Sequence, residues 1–205
     1  MAEYKLFEGA VPYVSTAEFH ADRPRAPHLE QAGHQERLHL AAEFVCQAVR
    51  ALGGEDIRVT DLGCGDGGLL SLIKGTPGIE AAWGYDFCPA NAAGWQERGV
   101  TAYARDVFNP DSPVNAGLSA PVFGDVVVMT ETLEHLADPA LRAGRLRDRA
   151  KYLVCSSPWN ENPQQHDACH AWAWDLEGYA SMIQSAGWTI ERHQQAGLFQ
   201  VVLAR

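Results

Sequence analysis

No apolar run in the 205-residue sequence is long enough to span a bilayer, which argues against a helical membrane anchor. The first residues, Met1-Ala2-Glu3-Tyr4-Lys5-Leu6, lack the basic start and apolar stretch of a secretory signal. Both absences lead to the expectation of a cytoplasmic protein with no membrane partner. Basic charge is scarce: 16 Lys and Arg stand against 26 Asp and Glu, a formal net charge of −10. Nucleic-acid binders usually carry a basic surplus, because phosphate contacts supply most of their affinity, so nucleic acid is disfavoured as a partner. Arg142, Arg145, Arg147, Arg149 and Lys151 run against this trend and read as a solvated helix face. The five cysteines, Cys46, Cys64, Cys88, Cys155 and Cys169, are odd in number, irregular in spacing and form no C-x-x-C. That pattern excludes a disulfide framework or a zinc ribbon and fits reduced thiols. There is no internal repeat or low-complexity segment, and the length suits one domain with a short extension.

What is present is an alternation of strands and helices. Residues 1–28 are polar, contain Pro12, Pro24 and Pro27, and read as an irregular arm ahead of a domain over 29–205. Apolar positions from Leu38 to Leu52 recur with helical spacing, and Gly53-Gly54 ends that helix. Strands are expected at 57–62, 81–85, 100–104, 125–129 and 152–155. Helices are expected at 68–74, from Pro89 to Gly99, after the Asp138-Pro139 start, and from Asp175 to Gly187. Residues 156–174 read as a long loop, a length that is usually functional. Residues 188–193 and 198–204, joined at Gln195-Ala196-Gly197, read as a β-hairpin. The fold class is therefore α/β: a mostly parallel sheet between two helix layers, closed by an antiparallel C-terminal hairpin.

The string Asp61-Leu62-Gly63-Cys64-Gly65-Asp66-Gly67-Gly68 sits where the first strand turns into the first helix of the sheet region. Glycines there let the backbone approach a ligand, and the helix start offers N–H groups to an anion. Gly63, Gly65 and Gly68 satisfy G-x-G-x-x-G, which suits NAD as well as S-adenosylmethionine (SAM). Asp86, at the end of the second strand, is placed to accept hydrogen bonds from a ribose diol or to cap a helix. Three features favour SAM. Asp61 precedes the first glycine by two residues; Asp106 follows the third strand, where an adenine amino group needs an acceptor; and no residues follow the hairpin to build the substrate domain of a dehydrogenase.

This string resembles motif I of the class I, Rossmann-like SAM-dependent methyltransferases. The resemblance implies a three-layer fold with a seven-stranded sheet. It implies cofactor contacts from Asp61, Gly63, Cys64 and Gly65, from Asp86 with Phe87 at the ribose, and from Asp106-Val107 at the adenine. Small members of this kind are often dimers, so a homodimer is consistent with it.

The acceptor should sit at the carboxyl ends of the strands. Thr130-Glu131-Thr132-Leu133-Glu134-His135 follows the fourth strand and resembles the E-x-x-E-H segment of small-molecule methyltransferases such as the ubiquinone O-methyltransferases. Thr130 and Glu131 then lie beside the methionine end of SAM. His135 is the expected general base, with an unperturbed pKa near ~6.5, and Glu134 and His170 complete the catalytic set. The plainer reading makes Glu134 and His135 a helix start. In the long loop, Trp172 and Trp174 suggest one packing residue and one that lines an acceptor pocket. A small-molecule acceptor, methylated at oxygen or nitrogen, is the first expectation. The alternative joins Glu131, Glu134, His135 and either His166 or His170 around a divalent metal. That set resembles the small-RNA 3′-end 2′-O-methyltransferases. The loop 156–174 and the arm 1–28 are expected to form a lid over the site.

Overall fold

The computed structural model describes residues 5–6, 23–161 and 165–205. The run Val126–Thr130 (β5) is buried at every position. Only a strand covered on both faces accommodates such a run, so it marks the centre of a parallel sheet. Its side chains alternate: Val126 and Val128 join one core, Val127 and Met129 the other.

The strands beside it follow the same logic. Ile57–Leu62 (β2), Ile79–Asp86 (β3), Ala102–Ala104 (β4) and Tyr152–Pro158 (β6) run parallel to β5. Ile190–Ala196 (β8) and Phe199–Ala204 (β9) form the antiparallel hairpin, and β9 pairs with β6. The order is β4-β3-β2-β5-β6-β9-β8, seven strands as expected. It reverses between β2 and β5, which opens a crevice at their carboxyl ends.

The helix Ala32–Ala51 (α1) places Leu38, Ala41, Phe44, Val45, Ala48 and Val49 against one face of the sheet. Gly68–Ile73 (α2) and Ala92–Arg98 (α3) lie on that side too. Pro139–Gly144 (α4) starts at an Asp138 side chain that accepts from Leu141 N–H. With Leu176–Ser185 (α5), capped by Asp175 onto Gly178 N–H, it covers the other face. No helix among the described residues is long and apolar enough to cross a membrane.

Several elements differ from the sequence reading by a residue or more, and three of the differences have a plain cause. β6 continues three residues past Cys155, because Ser156, Ser157 and Pro158 pair with Val201, Gln200 and Phe199. β4 starts at Ala102, because Val100 N–H closes the end of α3 onto Trp95. Within the expected loop, Trp172–Ala173 (β7) pairs with Lys5–Leu6 (β1). Of the expected arm, residues 1–4 and 7–22 lie outside the described residues.

Candidate active site

A cavity of about 470 Å³ opens at the carboxyl ends of β2, β3, β5 and β6, within the usual span of small-molecule sites, roughly 300–1,000 Å³. Every residue that the sequence assigned to the cofactor lines it, and so do His135 and His170.

The glycine turn is held by the neighbouring strand. Gly63 and Cys64 N–H both donate to the Tyr85 carbonyl, at 2.8 and 3.2 Å. Gly63 has φ +76°, and a Cβ there would sit 2.6 Å from Thr132 Oγ1. Only glycine combines that conformation with that approach. Gly65 N–H donates to Asp86 Oδ2 at 2.9 Å, and Trp95 Nε1 donates to the Gly65 carbonyl at 2.6 Å. Asp86 Oδ1 accepts from Cys88 N–H at 2.8 Å. Asp86 thus fixes the two turns and lines the cavity; it is not a helix N-cap, because Cys88 holds that position ahead of the 3₁₀ turn Pro89–Asn91. Burial raises its pKa, while the Cys88 and Gly65 amides pull it down.

An acidic and a basic side chain lie buried at one end of this turn. Asp61 is 1% exposed, and its Oδ1 has no hydrogen-bond partner among the described residues. Burial, then the nearby Asp86, pushes its pKa up to about 7, against the pull of Arg37. Arg37, on α1, is also 1% exposed and lines the cavity. Its Nε and Nη1 have no partner among the described residues. Its Nη2 faces His28 Nδ1 at 3.5 Å and His34 Nδ1 at 3.3 Å, and its guanidinium stacks 5.0 Å over Phe199. The two histidines stack at 4.0 Å, and burial, then His34 and Arg37, lowers the His28 pKa to about 3. Neutral imidazoles accept from a guanidinium without repelling it.

At the anion site expected at the α2 N-terminus, Gly68 N–H is taken by Asp66 Oδ1 at 3.1 Å. Arg37 adds a buried positive charge from α1, and Arg25 and Arg105 also line the cavity. A sequence signal existed: Arg37 falls four residues before Ala41, on the apolar stripe of α1, where an unpaired arginine is unusual.

Asp106 spends one oxygen on its own turn, with Phe108 and Asn109 N–H at 3.1 and 2.9 Å. Burial raises its pKa and those amides lower it. Val107 and Phe108 supply apolar wall beside it.

The other end of the cavity is built on the turn after β5. Glu131 adopts φ +52°, a left-handed conformation that costs a non-glycine residue about 1–2 kcal/mol. The turn is held by Ser156, whose hydroxyl donates to Glu131 Oε1 at 2.9 Å. Thr132 Oγ1 donates to the Leu62 carbonyl, tying this turn to the glycine turn. A 3₁₀ turn, Leu133–His135, then buries Glu134 completely. Burial raises the pKa of both Glu131 and Glu134; Glu131 pushes Glu134 further up, while Arg37 and the Ser156 hydroxyl pull Glu131 down. His135 Nδ1 lies 2.9 Å from the Cys169 carbonyl, so that nitrogen carries a proton. His170 Nδ1 pairs with Glu161 Oε2 at 2.6 Å. Burial opposes its charge, but Glu161 and Glu134 prevail and raise its pKa to about 9.

Ligand-type atoms of Glu134, His135 and His170 all lie within 4.8 Å of one another. His166 is half-buried and does not line the cavity, so of the two histidines weighed in the loop, His170 is the one brought in. Neither tryptophan lines the cavity, which corrects the expectation that one would. Trp174 is buried in the second core, and Trp172 stacks on it at 6.1 Å and donates to the Leu136 carbonyl. The β1–β7 pairing draws that segment toward the core side. Aromatic wall comes instead from residues that include His28, His34, Tyr85, Phe87, Phe108 and Phe199; of these the sequence singled out Phe87 alone as a site residue.

A family model described as a methyltransferase domain matches residues 34–198. No curated protein sequence matches the chain. Solved structures share the fold at low identity. The 1,6-didemethyltoxoflavin-N1-methyltransferase of Burkholderia thailandensis, with S-adenosylhomocysteine (SAH) bound, is 18% identical; 86% of this chain and 79% of that chain align with a TM-score of 0.61. The magnesium protoporphyrin IX methyltransferase of Synechocystis PCC 6803, with SAM bound, is 15% identical, covers 96% and 94%, and scores 0.62. The N-methyltransferase NodS of Bradyrhizobium japonicum WM9, with SAH bound, is 15% identical, covers 95% and 97%, and scores 0.64.

Proposed function

The chain belongs to the methyltransferase-domain family, within the class I SAM-dependent methyltransferases, and from that premise we propose that it transfers a methyl group from SAM to an oxygen or nitrogen of a small-molecule acceptor. The observation that carries this reading is the pair of unpartnered opposite charges at one end of the cavity. Asp61 and Arg37 suit the ammonium and carboxylate of an amino-acid tail. Buried polar groups are normally satisfied, so two left open at one place mark where a ligand supplies the partners.

The remaining cofactor residues follow in order along the cavity. Gly63 and Gly65 give close backbone approach, and Asp86 accepts from the ribose diol with the lone pairs its two amide bonds leave over. Cys64 and Phe87 flank this middle section, Asp106 and Val107 shape the adenine end, and Thr130 and Glu131 border the methionine end. When bound, SAM supplies a sulfonium-activated methyl carbon for in-line displacement. The protein's part is to align the acceptor, exclude water and accept a proton. His135 is the base that takes that proton, with its Nδ1 held on the Cys169 carbonyl. His170, protonated against Glu161, and buried Glu134 set the charge around it. The arm and the 156–174 segment act as the lid; the pairing of Lys5–Leu6 with Trp172–Ala173 supports this.

A small acceptor is supported by the net charge of −10 and by the small molecules named for two of the neighbours, 1,6-didemethyltoxoflavin and magnesium protoporphyrin IX. One observation favours a second reading, metal-dependent 2′-O-methylation of RNA 3′ ends: the grouping of Glu134, His135 and His170. A methyl-transfer assay with labelled SAM against small-molecule and oligonucleotide pools separates the two. Label in the small-molecule pool is expected. Label in oligonucleotide alone rejects the small-molecule reading, and label in neither pool, with no heat on SAH titration, rejects both.

A further inference from the structure

The strand order divides the cavity in two. Asp61, Asp86 and Asp106, assigned above to the cofactor, stand at or just past the ends of β2, β3 and β4. In the order β4-β3-β2-β5-β6-β9-β8, the ends of β5 and β6 and the start of β9 lie beyond them. Pro158, at the end of β6, pairs with Phe199, at the start of β9, and both line the cavity. With SAM in the first half, this second half is the space left for an acceptor.

Its two sides differ in kind. Phe199 falls on the same face of β9 as Val201 and Leu203, which pack in the core under α1. On that side His34, from α1, meets Phe199 with 4.9 Å between ring centroids. His28 stacks on His34 at 4.0 Å, with the two planes only 2° apart. All three rings line the cavity, and Leu198 beside them, at the hairpin turn, is 61% exposed. Burial lowers the pKa of both imidazoles, so they are neutral at neutral pH and the wall they form is flat and weakly polar. The other side is polar. Leu133 and Leu136 root the turn that carries Glu131 and His135 in the second core, under the opposite face of the sheet, and His170 joins from the loop.

A ligand that suits both sides has a flat apolar body and polar atoms at one edge. An aromatic ring packs on such a wall stacked or edge to face, and each ring contact adds roughly two- to tenfold in affinity beyond the area it buries. We propose that the acceptor is a planar aromatic or heteroaromatic molecule, packed against the ring wall of His28, His34 and Phe199, with the atom to be methylated at its edge toward Glu131 and His170. Phe199 and His34 are then specificity-determining residues: they favour aromatic over saturated acceptors. The proposal rests on the methyltransferase reading above and narrows its small molecule to a flat one.

The test uses the full chain saturated with SAH, which fills the first half of the cavity and leaves the second open. 2-Naphthol and decahydro-2-naphthol are titrated into it by calorimetry. The two share a carbon skeleton and a hydroxyl, and only the first has an aromatic face. 2-Naphthol should bind at least about fivefold more tightly. That ratio should fall at least about twofold in Phe199→Leu and in His34→Leu, which keep apolar bulk and remove a ring. Thermal melting reports that each variant is folded; if Phe199→Leu does not fold, His34→Leu decides. Equal affinity for the two alcohols, binding of neither, or an unchanged ratio in the folded variants overturns the proposal and leaves the methyltransferase reading in place. Failure of wild type to bind SAH removes that reading, and with it the division of the cavity on which the acceptor's place depends.

Discussion

The two ends of the cavity are built differently. The cofactor end rests on backbone: a glycine turn fastened to the Tyr85 carbonyl, to Asp86 and to Trp95, with rigid strands on either side. The acceptor end rests on side chains from distant segments, a strained Glu131, a buried Glu134, and histidines 35 residues apart in sequence. One end grips a constant ligand with main-chain geometry that few substitutions alter. The other gathers titratable groups whose identity changes cheaply, and fold alone therefore says little about the acceptor.

The contrast breaks most visibly at Asp86. Asp86→Ala removes the acceptor of two N–H groups and the proposed ribose contact together. SAH affinity should fall at least 100-fold, and stability by about 2–3 kcal/mol, read by calorimetry and chemical denaturation. A smaller effect is expected at the methionine end. Arg37→Met keeps the bulk and removes the charge, and SAH should bind about 10- to 100-fold more weakly, a loss of about 1.4–2.7 kcal/mol. Unchanged affinity would place the cofactor's carboxylate elsewhere.

Asp61 sharpens the comparison through pH. Its carboxyl is pushed up to about 7 in the empty site, so below that pH an incoming ammonium must displace a proton. SAH affinity should rise with pH up to about 7 and then level, by up to about tenfold per unit. Asp61→Asn should bind more weakly and lose this slope. The smallest effect concerns His28, whose pKa falls from 6.5 to about 3 on folding. Between those values the unfolded chain binds the extra proton, so stability rises with pH across that window and the contribution is complete above 6.5. His28→Gln should flatten this part of a stability-versus-pH curve measured by denaturation. An unaltered curve would show that the His28–His34 stack does not persist in solution.

The sequence made the cofactor end legible because its signals are local. Gly63, Gly65, Asp86 and Asp106 each lie at the end of an apolar run whose strand character is plain, so order along the chain implies order in space. Arg37 escaped because it acts from α1, across a contact that no spacing records. The choice between His166 and His170 depended on the path of one loop, and Trp172 on pairing with residues 5–6. The end of β6 was misjudged at Cys155 because Ser156-Ser157-Pro158 carries little strand propensity alone and pairs only through β9.

The central claim is that Asp61 and Arg37 receive the two charges of an amino-acid tail. Calorimetry of wild type and Arg37→Met with SAH and with 5′-methylthioadenosine, which lacks that tail, tests it directly. The account predicts that wild type prefers SAH by at least ~100-fold and that the preference shrinks in Arg37→Met by about the loss seen with SAH. Equal affinity of wild type for the two nucleosides would contradict it.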